Sequence, residues 1–569
     1  MKLKPLSLLA MLSSAFLAQA QAQLTLLSNF SANQGAGTSA GEIVSFDKNT
    51  DRLFVTSSNA TSTVFQVNIF DFSNPSSPSA LGTVDFSGSF GNATNMSGLS
   101  SVCVDPLGRF GVAALIPTAN TTTVGKVGFF NLATGALIGT ADAGYHPDSV
   151  TFSADGSKLV VVNEGEFNAA SPTNAPGSLS VFDVSAIHSG NLATLNGMAG
   201  VTTDFTAGNL SNNATITGLR NSNVAAVGTS GNFIQTVPDF DSVSNVDPNA
   251  IEPEYASVRG NKVYVSLQDN NAIGEYDLTT NKWSKITELQ LIAQLIDATD
   301  TGSTISINQT VNGMPMPDTV ATYTSGGKTY VVTANEGDAR VDDRDISRFG
   351  DVSGADSMTP ILDDNYPATA TGVRANAELG RLNISRIDGD TDADGKIDSI
   401  TMLGTRSFSI WEVTDSGLAL TYDSGSFFEQ YISLNDPSGW VDGRSDDKGP
   451  EPEGLTLGTI DGETYAFIGM ERTNSIFMFN VTNPAAPNFT GYIRVQDAST
   501  PLRPEGMAFI PANDSPNGQN LLVVGFEGDG TAATERIAVF SVVPEPSTYA
   551  LMGLGGLLVV WTLRRKRTA

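Results

Sequence analysis

Cysteine is almost absent from this sequence, since Cys103 is the only one in 569 residues. No disulfide can therefore form within the chain. Cys103 lies in Ser-Val-Cys-Val-Asp, where apolar and polar residues alternate as they do in a β-strand. The pattern predicts a buried thiol in a strand.

Histidine is also scarce, with only His146 and His188. Two imidazoles exclude a zinc site built from several histidines and argue against a Ser-His-Asp triad. The sequence contains no Gly-x-Ser-x-Gly elbow in a strand-to-helix setting and no P-loop. Any bound metal must therefore be held by oxygen atoms, which points to calcium or magnesium.

Basic residues are few, with 31 Lys and Arg against 60 Asp and Glu. Six of these bases lie near the two ends, at Lys2, Lys4 and 564–567, so the intervening body has 25 bases for 60 acids, a formal charge of −35. Such a surface repels phosphate backbones, and we expect no nucleic-acid partner. It attracts cations, although solvation alone explains most of the acids.

The first 22 residues are typical of a secretory signal peptide. Lys2 and Lys4 precede an apolar run from Leu6 to Leu17, and small residues follow at 18–22 as a cleavage site requires. The run is short for a membrane span, and an uncleaved anchor helix is the alternative. The segment predicts a signal helix and export from the cytoplasm.

The last 27 residues, 543–569, have three parts in order. Val543-Pro544-Glu545-Pro546 is followed by an uncharged apolar stretch from Tyr549 to Leu563 and then by four basic residues at 564–567. The stretch predicts a transmembrane helix with its basic end in the cytoplasm. The arrangement resembles the PEP-CTERM sorting signal, near whose Pro-Glu-Pro a membrane protease called exosortase cuts. The resemblance implies a transient inner-membrane anchor in a Gram-negative bacterium, followed by the cell surface or the extracellular matrix; an ordinary uncleaved anchor is the alternative.

A pattern recurs along the body, which is rich in Gly, Asn, Ser and Thr. Each unit runs through a Pro-acid turn, a short apolar strand, a Gly turn, a stronger strand, an acidic turn and a third strand. Two weaker units, at about 42–72 and 98–132, precede five clear ones. The clear units open at His146-Pro147-Asp148, Glu252-Pro253-Glu254, Met316-Pro317-Asp318, Pro452-Glu453-Gly454 and Pro504-Glu505-Gly506. Seven units predict an all-β fold, a seven-bladed β-propeller over 23–542; a pair of β-sandwiches is the alternative.

Two insertions are expected in this body. Residues 190–250 have little apolar periodicity and predict a long surface loop. Residues 336–404 predict an insertion that displaces the outer strand of its unit to Phe408–Val413.

The repeat also predicts a ring of acids. The innermost strand of a propeller blade lines the central channel, so the acids of the Pro-acid turns should meet at its mouth; they are Asp148, Glu254, Asp318, Glu453 and Glu505. Acids after the second strand should reach the same face; they are Glu164, Glu336, Glu471 and Glu527. Gathered carboxylates raise one another's pKa unless a cation or an arginine neutralises them. The alternative is that each acid caps its own turn.

The insertion at 336–404 contains the sharpest motif. Counting from Asp390, acids fall at positions 1, 3, 5 and 9, with Gly395 at position 6, which is the spacing of a calcium loop. The predicted calcium ligands are Asp390, Asp392, Asp394, the Lys396 carbonyl and Asp398, with Asp388 as a candidate for a further carboxylate. Position 12 is Thr401 rather than a bidentate Glu, and a solvated Asp-Gly turn is the alternative.

Several long stretches resemble the choice-of-anchor I domain family. They include Thr333-Ala334-Asn335-Glu336-Gly337-Asp338-Ala339-Arg340, Arg406-Ser407-Phe408-Ser409-Ile410-Trp411 and Arg444-Ser445-Asp446-Asp447-Lys448-Gly449-Pro450-Glu451-Pro452-Glu453-Gly454. The resemblance implies a propeller displayed on the cell surface. Relatives include mesenchyme-specific cell-surface glycoproteins and proteins labelled as alkaline phosphatases, so the resemblance implies no single reaction.

Two functions fit these observations. The first is a calcium-binding protein of the cell surface or matrix, whose partner is an extracellular polysaccharide. The second is a calcium-dependent phosphoesterase acting on a phosphate ester, in which a carboxylate ring holds cations that activate water. In the second, Glu336, Asp338 and Glu453 hold cations, and Arg340, Arg444 and Lys448 hold the phosphate. Further metal candidates are Glu164, Glu254, Glu505 and Glu527.

Overall fold

The computed structural model describes most of the body of the protein. The described residues are 23–33, 39–59, 61–165, 174–220, 247–302, 304–339, 346–351, 361–362, 370–385, 388–389, 396–397, 399–495, 502–529 and 534–543. The predicted signal helix (1–22) and transmembrane helix (549–563) lie outside them. Within these ranges the structure has no helix that is both long and apolar enough to cross a bilayer.

The described chain is all-β, as predicted, with strands numbered β1–β36 in chain order. Its main elements are seven antiparallel sheets. After β1 (Gln23–Ser31), sheet 1 is β2 (Ser39–Asp47), β3 (Arg52–Asn59), β4 (Val64–Asp71) and β5 (Ser79–Asp85). Sheet 2 is β6 (Met96–Gly98), β7 (Val102–Val104), β8 (Gly111–Pro117), β9 (Lys126–Phe130) and β10 (Leu137–Asp142).

Sheets 3 and 4 follow with the same up-and-down order. Sheet 3 is β11 (Pro147–Phe152), β12 (Lys158–Asn163), β13 (Ser178–Asp183) and β14 (Val201–Asp204). Sheet 4 is β15 (Pro253–Arg259), β16 (Lys262–Leu267), β17 (Ala272–Asp277) and β18 (Lys282–Glu288). Strand β14 lies inside the region predicted as a long loop, so the described part of 190–250 supplies the outer strand of sheet 3.

An insertion separates the second and third strands of sheet 5. It contains two strand pairs, β23 (Ile346–Arg348) with β25 (Asn383–Ser385) and β24 (Ile361–Leu362) with β26 (Lys396–Ile397). Its last strand, β27 (Thr401–Leu403), forms a small sheet with β19 (Ile292–Ile296) and β20 (Gln309–Met314), which lie before sheet 5 in the chain. Sheet 5 is β21 (Val320–Ser325), β22 (Lys328–Asn335), β28 (Ser407–Thr414) and β29 (Gly417–Asp423). Strand β28 is the displaced strand that the sequence predicts.

The last two sheets complete the body. Sheet 6 is β30 (Pro452–Ile460), β31 (Glu463–Met470), β32 (Ser475–Asn480) and β33 (Asn488–Arg494). Sheet 7 is β34 (Pro504–Ile510), β35 (Leu521–Phe526) and β36 (Arg536–Val543), and β1 joins it as the outer strand. The α-helices are α1 (Ala370–Val373) and α2 (Phe427–Asn435); single 3-10 turns lie at Ala93–Asn95, Leu192–Leu195, Ala207–Asn209, Pro248–Ala250, Phe349–Asp351, Pro437–Gly439 and Asp442–Arg444.

Each sheet packs face to face on the next, and each junction has its own hydrophobic cluster. Sheets 2 and 3, for example, bury Phe129 and Leu159 against each other, and sheets 7 and 1 bury Val523 and Leu53. Each buried side chain of this size contributes about 1.5–3 kcal/mol. The innermost strands β2, β7, β11, β15, β21, β30 and β34 are neighbours in that order, and β34 returns to β2. The arrangement is propeller-like.

Sheet 7 joins the two ends of the described body. Gln23 of β1 lies opposite Val543 of β36, and the pairing continues to Ser31 opposite Arg536. The side chain of Arg536 donates to both the side chain and the carbonyl of Asn29. Because β1 precedes the first predicted repeat, the sequence did not indicate this strand.

Removing the Phe30 ring of β1 should weaken the attachment of β1 to sheet 7, where β1 pairs with β36. The Phe30 ring meets Phe70 edge to face, with centroids 5.1 Å apart, so we expect Phe30→Ala to lower the free energy of unfolding by about 2–3 kcal/mol. Leu26→Ala, at a side chain that is 44% exposed on the same strand, should change it by less than about 0.5 kcal/mol. Urea unfolding of the purified protein measures both; equal effects would contradict a closure that depends on Phe30.

Candidate metal centre

In five of the seven sheets, the innermost strand begins with a β-bulge. In sheet 3, Pro147 pairs with Asn163, but the next pair is Val150 with Val161, so two residues lie between. The same shift occurs at the start of sheets 4, 6 and 7, and in sheet 1 three residues lie between the paired Ala40 and Val44. A bulge redirects a side chain out of the regular alternation of a strand. Four of the five acids of the Pro-acid turns lie in such a bulge, and the fifth, Asp318, precedes a strand that pairs without a shift.

Six acids share this register position, two residues before the regular pairing of the innermost strand begins. We call them the channel acids; they are Glu42, Asp148, Glu254, Asp318, Glu453 and Glu505. In sheet 2 the equivalent residue is Ser100, whose hydroxyl donates to the Pro147 carbonyl at 2.8 Å. Five of the six acids were predicted. Glu42 was not, because no proline precedes it in the sequence.

The channel is narrow at the level of these acids. Tyr255 of sheet 4 donates its hydroxyl hydrogen to Glu505 Oε1 of sheet 7 at 3.3 Å. Sheets 4 and 7 stand on opposite sides of the ring of innermost strands. The structure therefore brings the channel acids close together, although they are spread over more than 450 residues of sequence.

Burial raises the pKa of every channel acid, and the charges of neighbouring acids add to the effect in most of them. The pKa of Glu42 rises to about 8 and that of Glu505 to about 7. The pKa of Asp148 rises to about 6, with His146 opposing the rise. Glu254, Asp318 and Glu453 have pKa values well above the ordinary range, through burial first and then the charges of Glu164 or Glu505. Protons or a cation must therefore balance this channel near neutral pH.

Two groups of three acids have the spacing of a cation site. Asp318, Glu453 and Glu505 each place one carboxylate oxygen within 4.8 Å of the others, and so do Asp148, Glu164 and Glu254. Calcium binds oxygen at 2.3–2.6 Å, so oxygen atoms at these separations can share one ion.

A third group, Glu336, Glu451 and Glu471, is equally close but is balanced by bases. Glu451 is fully buried; its carboxylate accepts from Arg444 Nε at 2.6 Å and Arg472 Nε at 2.9 Å, and lies 3.7 Å from Lys448 Nζ. Lys448 Nζ also donates to Glu336 Oε1 at 2.8 Å, and Arg472 pairs with Glu471 at 2.5 Å. We call these six side chains the Glu451 network. The network contains three acids and three bases, so its formal charges balance.

The backbone explains why the acids that follow the second strands lie beside the channel acids. The residue before the Pro-acid pair adopts a positive φ in four units, at His146, Met316, Glu451 and Arg503. In three of these units its carbonyl accepts a hydrogen bond from the backbone N–H of the residue that follows the second strand. The N–H groups of Glu164, Glu471 and Glu527 donate to the carbonyls of His146, Glu451 and Arg503, respectively, at 2.9–3.1 Å. These bonds fix the acids after the second strand beside the channel acids.

Comparison with known protein families identifies the family of this chain. A family model for the choice-of-anchor I domain matches residues 42–484, more than three quarters of the chain. The chain belongs to the choice-of-anchor I family. A second model, the PEP-CTERM protein-sorting motif, matches residues 542–567, which indicates an exported protein that is sorted to the cell surface and processed by an exosortase.

Two animal proteins are similar to part of this choice-of-anchor I chain. One is the mesenchyme-specific cell surface glycoprotein of Strongylocentrotus purpuratus, 26% identical over 33% of this chain and 28% of its own length. The other is Gigasin-3a of Magallana gigas, 30% identical over 28% of this chain and 65% of its own. The chain thus spans less than two thirds of either relative.

Solved structures resemble the choice-of-anchor I chain only distantly. Kuenenia stuttgartiensis hydrazine synthase has a TM-score of 0.42 at 11% identity, over 90% of this chain and 97% of that one. The periplasmic gluconolactonase of Pseudomonas aeruginosa has a TM-score of 0.38 at 11% identity, over 80% and 85%. Likeness at this level carries no argument about function.

The residues that the phosphoesterase hypothesis needs are placed as follows in the choice-of-anchor I body. Arg444 and Lys448 belong to the Glu451 network, and Arg444 also pairs with Asp447 at 2.9 Å. Asp338 lies 3.2 Å from Lys448 Nζ. Arg340 lies outside the described residues. Glu451, the centre of this network, was not among the site residues predicted from the sequence, although its place directly before a Pro-acid pair was a usable signal.

The remaining candidates divide between the channel and the undescribed residues. Glu164 lies 3.1 Å from His146 Nδ1, and Glu527 lies 3.7 Å from Arg503. Asp388 accepts from Arg220 Nε at 2.8 Å, so this carboxylate already has a basic partner. The calcium-loop residues Asp390, Asp392, Asp394 and Asp398 and the Lys396 side chain lie outside the described residues, and the Lys396 backbone is in β26.

The Glu451 network should be essential to the fold. Glu451→Gln removes the charge that three bases share, so we expect the free energy of unfolding to fall by about 3–5 kcal/mol. Glu463→Gln is the matched control at an exposed carboxylate that accepts from Asn480, and it should cost less than about 1 kcal/mol. Urea unfolding measures both; a loss for Glu451→Gln as small as the control would refute a structural role.

In the absence of divalent cations, the free energy of unfolding should fall as pH rises. The pKa of Glu42 is about 8 in the folded protein against 4.5 in a free side chain, so the folded state retains protons that the unfolded state has already released. This contribution is complete below pH ~4.5 and is lost as pH rises through ~8. In chelator, the free energy of unfolding should decrease from pH 5 to pH 9, and less steeply in Glu42→Gln. Asp415→Asn, in the exposed turn after β28, should keep the original slope.

Proposed function

We propose that this exported surface protein binds divalent cations, calcium above all, in the central channel of a seven-bladed β-propeller. In this proposal the protein has a binding or structural role at the cell surface. The observation that carries the proposal is the ring of six carboxyl groups at one register position, contributed by six of the seven sheets.

The propeller assignment is supported by the cyclic order of the sheets. Seven antiparallel sheets have neighbouring innermost strands from β2 round to β34 and back. Seven hydrophobic clusters lie between successive sheets. Sheet 7 takes its outer strand from the start of the described chain, which ties the last blade to the first part of the sequence. A pair of β-sandwiches would not produce this cyclic order.

Calcium is the cation that suits these ligands. It takes six to eight oxygen ligands, with carboxylates preferred, and it tolerates irregular geometry. The close acid groups of the channel supply carboxylate oxygens alone, and the two histidines of the chain leave little nitrogen for zinc. The predicted loop at Asp390–Asp398 is a second, separate calcium site in this proposal.

Cation binding is a better hypothesis than phosphoester hydrolysis because the bases that would hold a phosphate are already paired with acids. A phosphoesterase would need Arg444 and Lys448 to be available for phosphate. Both are engaged with Glu451, and Lys448 with Glu336 as well. Releasing Lys448 would leave the buried Glu336 without its base. Releasing Arg444 would remove one of the three bases around Glu451, and loss of a partner from a buried ion pair costs several kcal/mol.

The proposed location of the protein is inferred from its C-terminal sorting motif. The sorting motif at 542–567 is the basis for export and exosortase processing. We propose that the apolar stretch at 549–563 holds the protein transiently in the inner membrane of a Gram-negative bacterium until it is cut. The released body would then act in the cell-surface or matrix layer, where an extracellular polysaccharide is the proposed partner and its cation-bound form the active one.

Calcium should stabilise the protein measurably. A ligand at 100 times its dissociation constant adds about 2.7 kcal/mol to the free energy of unfolding, so we expect a higher melting temperature in calcium than in chelator. Isothermal titration calorimetry should detect calcium binding, with magnesium binding more weakly.

Two results would contradict the proposal. One is a melting temperature and a calorimetric trace that calcium does not change. The other is calcium-dependent hydrolysis of a phosphomonoester or phosphodiester that Arg444→Ala abolishes, since this would favour the enzyme.

A further inference from the structure

The three close groups of acids differ in how their charge is balanced. Glu336, Glu451 and Glu471 are neutralised within the Glu451 network. In the group of Asp148, Glu164 and Glu254, Glu164 has an imidazole partner, His146, at 3.1 Å. In the group of Asp318, Glu453 and Glu505, no described basic residue forms an ion pair with any of the three carboxylates. This last group has the largest uncompensated negative charge.

An unpartnered oxygen atom marks the same group. Glu453 Oε2 is buried and has no hydrogen-bond partner among the described residues. Asp318 is 8% exposed, and the hydrogen bond to its Oδ2 comes from the adjacent Thr319 hydroxyl at 3.0 Å. A buried carboxylate oxygen without a donor is costly unless a cation or a proton binds it. Neither of the other two groups combines an unpaired charge with such an atom.

Tyr255 adds a contact from the far side of the channel. Its ring extends from sheet 4, and its hydroxyl donates to Glu505 Oε1 at 3.3 Å. A hydrogen bond to one carboxylate oxygen fixes the plane of the carboxylate and leaves the second oxygen, Oε2, for another partner. Metal-binding carboxylates are commonly oriented by hydrogen bonds of this kind.

We infer that Asp318, Glu453 and Glu505 bind the channel cation and that Tyr255 is a positioning residue which orients Glu505 for it. This inference rests on the proposed function and specifies its site. Each of the three carboxylates offers one oxygen atom within 4.8 Å of the others, and water completes the shell of a calcium ion. The ion thereby connects sheets 5, 6 and 7, while Tyr255 extends the connection to sheet 4.

Terbium is the probe that tests both parts of the inference. Tb³⁺ occupies calcium sites built from oxygen, and its emission is sensitised when an excited phenol lies within a few ångströms. The full-length protein should carry Asp390→Asn and Asp392→Asn, so that the predicted loop at 390–398 does not contribute. In this background we expect one Tb³⁺ per chain with tyrosine-sensitised emission, and calcium should displace it.

Four substitutions separate the site from its surroundings. Glu453→Gln and Asp318→Asn should each weaken calcium binding at least about tenfold, since each removes a charged ligand. Glu254→Gln, the matched control in the neighbouring group, should change it less than about threefold. Tyr255→Phe should remove the sensitised emission while directly excited Tb³⁺ still reports binding, with calcium affinity reduced about three- to tenfold.

The outcomes distinguish this inference from the function on which it rests. Equal losses for Glu254→Gln and Glu453→Gln, or sensitised emission that survives Tyr255→Phe, would overturn the assigned site while calcium binding itself stands. No binding of calcium or Tb³⁺ by the unsubstituted protein would overturn the proposed function instead. A melting experiment in chelator controls for misfolding of the variant. Glu453→Gln should melt no lower than the unsubstituted protein there, because it removes a charge that the neighbouring acids repel.

Discussion

Buried carboxyl groups repel one another, and this repulsion is the constraint around which the channel is built. Six sheets each direct an acid to the same level, where burial already disfavours the charged form. Such a channel must contain protons, bases or a metal ion at neutral pH. Which of the three is present at each point determines whether an acid serves the fold or binds a ligand.

The acids of the channel and of the Glu451 network differ in how their charge is balanced. Arg444, Lys448 and Arg472 surround Glu451, the residue before Pro452, and hold its pKa below the ordinary value despite its burial. Burial still raises the pKa of the neighbouring Glu336 and Glu471, the latter to about 9. The pKa values of the channel acids rise through burial first, and apart from His146 near Asp148 no described base is paired with them to oppose the rise. The long family motif from Arg444 to Gly454 therefore spans both arrangements: Arg444, Lys448 and Glu451 stabilise the fold, and Glu453 faces the channel.

Much of this could be predicted from the sequence because the relevant signals are local. The Pro-acid pairs, the alternating strands and the Gly turns each lie within about ten residues, and they predicted the strands and five of the six channel acids. Glu42 and β1 could not be found in this way, because neither is marked by a proline or by a complete repeat. The role of Glu451 was missed for another reason. Its partners Arg472, Lys448 and Glu336 come from separate segments, and only the positive φ before Pro452 and the closed ring of sheets bring them together.

The closure of sheet 7 also determines how the body responds to mechanical load. The sorting motif begins at residue 542, inside β36, so no linker separates it from the fold. A pull along the axis of β36 at Val543 acts on a strand that is paired antiparallel to β1 on one side and to β35 on the other. The hydrogen bonds of both pairings then resist in shear and share the load, instead of opening one after another from an end. If the tail is held in the membrane as proposed, its load therefore enters the body through a strand that is hydrogen-bonded on both sides.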